Sequence, residues 1–280
     1  MIENQMINDI LSYAPIFLLI SVRAFAMMQT APLLNSETIP QIVRLALSGF
    51  AAYAAFSVAL IREWVIPPFG LEFVFIVIGE GLIGIIIVFF MAIVFAAFST
   101  AGQFFSLQMG FGASETFDPL SQIENPLLGQ YLNIVGMLIF VTIDGFRELF
   151  LGGFLRSLQT INVFSLIHGR ETIVSMMMMG LSRLFFDAII ISLPILGTLF
   201  LTSLSTGLIS KAAPQINILS EGFPISITVA FLIIYTAMPF MTEMFSRVII
   251  SGFEGLRTLY IEIGQRVSLG SPGGLLGVFV

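Results

Sequence analysis

Charged residues set inside otherwise apolar stretches are the groups of this chain that could do chemistry: Arg23, Glu80, Asp144, Arg183, Asp187, Glu243 and Arg247. A charge at the centre of a hydrocarbon layer costs roughly 2.5–3.5 kcal/mol on insertion scales, so each must face protein, water or an opposite charge. Two roles are open to them: an ion or proton site, or mutual neutralisation. Arg183 with Asp187 and Glu243 with Arg247 stand at i,i+4, the spacing that pairs charges along one helix face. Asp144 and Glu148 flank Arg147 at helical spacing, which favours pairing over a proton relay. Glu80 sits between Gly79 and Gly81, with Gly84 one turn further on, so a small-residue face carries one carboxylate. No second acid follows at i+3 or i+4, which favours pairing with an arginine of a neighbouring helix over an ion site. Arg23 reads as a packing or partner contact.

Other catalytic chemistry is missing. The chain has no Cys and one His, His168 beside Gly169 and Arg170, which we assign no metal and no acid-base role. No HExxH, GxSxG, Walker or GxGxxG pattern occurs in a suitable context, so neither an enzyme nor a cofactor is expected. The net charge of −6 is scattered, without a basic run for nucleic acid or anionic lipid. The first ten residues carry Glu3 and Asp9 and no Lys or Arg, the wrong charge for a signal-peptide start, so they read as retained.

The elements that must position these groups are helices in a membrane. Mean hydropathy is +1.03 and only 10% of the 280 residues are charged, against roughly 25% in soluble domains. Six apolar segments are expected, at about 10–34, 42–66, 71–103, 127–158, 173–209 and 224–253, several of them reaching the ~20 residues that cross a bilayer. A short polar-faced helix is expected at 254–265. Pro15, Pro194 with Gly197, and Pro239 predict kinks, and the Ser/Thr-rich run at 203–210 predicts the end of the fifth segment. The fold class is therefore all-α, built of membrane-associated hairpins with proline kinks.

Two breaks in this pattern call for a functional explanation. Residues 103–130 carry Glu115, Asp118 and Glu124 but no Lys or Arg, and are punctuated by Gly110, Gly112, Pro119 and Pro126. Glycine and proline at that density oppose a continuous helix, and a loop at membrane depth must be covered by protein or line a watery cavity. Ala213-Pro214-Gln215-Ile216-Asn217, followed by Gly222-Phe223-Pro224, is the most motif-like turn, lying between two apolar segments.

Three stretches together resemble the FliR family, the flagellar type III secretion export-gate component related to the SctT-type proteins of injectisomes. They are Arg23 to Pro32 with Pro40 after it, Gly110 to Pro119 with Phe117-Asp118-Pro119, and the Pro214, Gln215, Asn217 and Gly222-Phe223-Pro224 motif. The resemblance covers about residues 10–265. It implies a FliP-like portion at 1–172 with a pore plug at about 106–122, then a FliQ-like helical hairpin and short C-terminal helix at 173–265. A Gly-rich tail at 266–280 is expected to be disordered. It further implies a place in the bacterial inner membrane at the flagellar basal body, with FliP-type, FliQ-type and FlhB-type partners and a pore for unfolded export substrates. The plug residues would be Gly110, Phe111, Gly112, Phe117, Asp118 and Pro119. The competing expectation is a secondary transporter or ion channel in which Glu80, Asp144, Arg183 and Asp187 form a midplane site among broken helices.

Overall fold

Proline and glycine set most of the helix ends. In the computed structural model, which describes residues 2–32, 34–35, 39–60, 70–110, 127–213 and 218–269, the first helix is α1 (Ile2–Thr30), which passes through Pro15. Pro40 precedes α2 (Gln41–Leu60), and α3 (Leu71–Met109) follows. Then come α4 (Leu127–Thr142), α5 (Gly145–Glu148), a π-helical stretch (Leu149–Leu155) and α6 (Arg156–Thr160). The chain continues with α7 (Val163–His168), α8 (Arg170–Ala212) and α9 (Ile218–Leu269). No strand occurs among the described residues.

Five of these helices are long and apolar enough to cross a membrane. The expected fourth span at 127–158 is not one of them. Asp144 adopts the left-handed conformation, φ 58°, and separates α4 from α5, so the 16 residues of α4 reach only about 24 Å of a hydrocarbon layer about 30 Å thick. The helical path then bulges through Leu149–Leu155, where Gly152 and Gly153 lie, before α6.

Three further boundaries differ from expectation. The Ser/Thr run does not end the fifth segment, because α8 continues to Ala212. Thr198, Thr202, Ser203, Ser205 and Thr206 each donate to the carbonyl four residues back, which satisfies their hydroxyls without breaking the helix. The sixth segment starts at Ile218 rather than near Pro224, so that Pro224 lies inside α9. Among the described residues there is no separate C-terminal helix either: α9 runs unbroken from Ile218 through residues 254–265 to Leu269, so the first residues of the expected tail are helical.

The chain forms two compact units. One takes its described residues from Met1–Ala92, Asp144–Gly180 and Ser251–Val280, the other from Ile93–Ile143 and Leu181–Ile250. In the first, α1 lies against α2, with the Tyr13 and Phe17 rings edge-on to Phe56 at 6.1 Å. Arg44 clips the start of α2 to the end of α1 by donating to Gln29 at 2.7 Å and to Asn35 at 3.1 Å. Alanines 52, 55 and 59 give α2 a buried small-residue stripe suited to close helix approach.

The second unit has an aromatic interior. Phe98 stacks on Phe245 with centroids 4.2 Å apart, and Phe95 meets both Phe98 and Phe140 edge-on. The backbone of Gly129 comes so near Gly102 that an added Cβ there would lie 2.5 Å from it.

Candidate functional site

The first unit contains a closed polar node. Arg23 on α1 and Glu80 on α3 are both fully buried and form an ion pair at 2.6 Å. Arg23 Nε donates to Glu80 Oε2 at 2.6 Å, Nη1 donates to Ser157 Oγ on α6 at 3.0 Å, and Nη2 donates to the Ile161 carbonyl at 3.2 Å. Ser157 passes its own hydroxyl proton toward the Phe154 carbonyl at 2.7 Å. Every guanidinium nitrogen thus has an acceptor, the condition under which a buried charge is tolerable.

Helix packing brings the node together. The Arg23 carbonyl lies where a side chain on Gly84 would begin, so only glycine lets α1 come this near α3. The Val163 side chain likewise stands 2.5 Å from the Cβ position of Gly79. The small-residue face around Glu80 therefore admits neighbouring backbone and side chains. Its carboxylate faces an arginine from a different helix.

Of the other embedded charges, four are partnered along their own helices. Arg183 and Asp187 approach to 3.7 Å, and Arg247 donates to Glu243 at 2.6 Å, both at i,i+4. Arg147 pairs with neither Asp144 nor Glu148; among the described residues Glu148 pairs instead with Arg257, and Asp144 marks the helix break. Nearby, the buried Tyr260 hydroxyl donates to the Gly153 carbonyl inside the π-helical stretch at 2.7 Å. Sequence reasoning missed both of these contacts. Their partners lie 109 and 107 residues apart, and no local spacing announces them. His168 donates through Nδ1 to the Phe164 carbonyl at 2.8 Å, one turn back on α7.

Of the two sequence motifs, the described residues include one edge of each. Gly110 closes α3 with a positive φ of 88°, and its amide donates to the Leu107 carbonyl at 3.1 Å. Phe111, Gly112, Phe117, Asp118 and Pro119 lie outside the described residues, as do Pro214, Gln215 and Asn217. Gly222, Phe223 and Pro224 belong to the first two turns of α9. Within the second unit the Phe223 ring packs directly on Gly110, its nearer edge occupying the place of a Cβ.

The family model described as bacterial export proteins, family 1, matches residues 14–251. The flagellar biosynthetic protein FliR of Bacillus subtilis is 27% identical over 263 residues, covering 92% of this chain and 99% of its own length. The protein of the same name from Borreliella burgdorferi is 33% identical over 198 residues, 70% of this chain and 73% of its own. That from Escherichia coli is 28% identical over 235 residues, covering 81% and 87%.

Proposed function

This chain belongs to the bacterial export proteins, family 1, as a FliR-type component of the flagellar export apparatus, and we propose that the part of residues 106–122 that follows α3, from Gly110 onward, forms a plug in an export pore. The pore is built with FliP-type and FliQ-type subunits in the inner membrane, beside an FlhB-type subunit, and passes unfolded export substrates. One observation carries the reading: α3, the most apolar of the long helices, stops at a left-handed glycine, with residues 111–126 intervening before α4.

A seal must stop ions without holding a polypeptide tightly. Apolar and small side chains suit that task better than a ring of charge, and residues 110–122 contain Phe111, Phe117 and three glycine or proline residues beside them, Gly110, Gly112 and Pro119. The node at Arg23 supports the same reading from the other side. Glu80 is held by an arginine that a transport site would have to release. We assign the buried pair to holding helices in register.

The test is ion conductance across the inner membrane with the complex assembled. Deleting residues 112–116 should raise the leak, and so should the pair F111A/F117A. An intact, correctly composed complex that leaks no more than wild type would refute the plug. A purely scaffolding role predicts that outcome.

A further inference from the structure

We infer that Phe223 is a positioning residue for the exit of α3: its ring, seated on Gly110, selects the left-handed turn by which the chain leaves that helix. The inference rests on the plug reading only for its consequence in ion leak. The contact itself lies wholly among described residues of the second unit.

The helix leading to this point is firmly held. Phe105 and Met109 are fully buried and Ser106 nearly so, which fixes the last turn of α3. The next residue, Gly110, is the one that a packed core does not fix, because glycine enters left-handed and right-handed conformations with similar ease. A selector is needed if the chain is to leave in one direction. The Leu107 carbonyl supplies one hydrogen bond to the Gly110 amide, a single bond at the helix end.

Phe223 supplies the rest. Its ring covers the Gly110 Cα on the side where every other residue carries its side chain, with Cζ 3.4 Å from that Cβ position. Phe223 is 43% exposed, so core packing does not account for its placement. Its backbone is helical and lies in the opening turns of α9, with the fixed φ of Pro224 directly after it. The two motifs singled out in the sequence, Gly110 and Gly222-Phe223-Pro224, are thereby one contact. A displacement of the start of α9 is transmitted to the root of residues 111–126.

Hydrogen exchange on the assembled complex, followed in peptides that contain the Gly110 amide, tests the contact directly. F223A should speed exchange there about tenfold or more, F223L by less, and F223Y, which keeps the ring, not at all. Unchanged exchange in F223A would overturn the inference. Should F223A fail to assemble, F223L and a double-substitution cycle decide. G110A should lower the complex's thermal stability, and part of that loss should vanish in G110A/F223L, where the ring no longer meets the new methyl group. An identical loss in both backgrounds also overturns it. Leak measurements separate the two proposals: faster exchange in F223A without any leak from the 112–116 deletion leaves the positioning role standing and removes the plug.

Discussion

Around Arg23 the interior is charged and hydrogen-bonded, with a guanidinium, a carboxylate, a serine hydroxyl and a backbone carbonyl drawn from distant parts of the chain. Around Phe98 it is aromatic, with Phe95 and Phe245 against its ring, Phe140 against Phe95, and Gly136 giving the Phe98 ring room. The two units thus fix their helices by different physics. In lipid, apolar side chains gain little by leaving the solvent, so helices are ordered by close packing or by polar contacts. Packing tolerates small slips, whereas a forked arginine accepts one arrangement. The charged interior sets register, and the aromatic interior fills space.

That contrast can be broken at several points. The largest effect is expected for E80A, which leaves Arg23 buried without its counterion and should cost about 3–5 kcal/mol in denaturant unfolding of the purified complex. The double change R23M/E80L should recover most of this loss. Recovery together with an altered helix register in inter-helix crosslinking would sharpen the assignment of the pair to register. Full recovery with unchanged register would contradict it.

On the aromatic side, G136A should cost about 1–3 kcal/mol, because the added methyl would sit 2.5 Å from the Phe98 ring. F98L should relieve that clash, so the two substitutions should be non-additive in the same assay. Smaller again is Y260F, expected at about 0.5–1.5 kcal/mol from one lost hydrogen bond to the Gly153 carbonyl. The smallest effect belongs to E243Q. Its pair with Arg247 is exposed at both ends, and a change of more than about 1 kcal/mol would show that this pair contacts something beyond its own helix.

What could be read from the sequence follows the range of each interaction. The i,i+4 pairs at 183/187 and 243/247 were legible because helical spacing alone brings them together. The need for a partner at Arg23 and at Glu80 was legible too, since an unpaired charge in an apolar segment is costly. That each would be the other's partner was not, because 57 residues and the whole of α2 separate them. The same limit hid Glu148 with Arg257. It also produced the expected pairing of Arg147 with its neighbours, which the left-handed break at Asp144 and a distant arginine displaced.

Helix existence was read well and helix ends less so. Proline marked the break before α2 at Pro40, but the third segment, expected to end near 103, continues as helix to Met109 and stops only at the left-handed Gly110. Pro224 misled because it lies inside α9 near its start, and the Ser/Thr run misled because hydroxyls that bond their own helix do not end it. The bulge at Leu149–Leu155 has no local signature beyond its two glycines.

The ladder of hydroxyls on α8 has one more consequence. From Thr198 to Thr206 each of the five alcohol protons is turned back onto its own helix, so a surrounding lipid tail meets methyl and methylene edges where the residue names promise polarity. Replacing Thr202 by Val should leave insertion almost unchanged. Physically, α8 is a longer greasy rod than a count of its apolar letters implies.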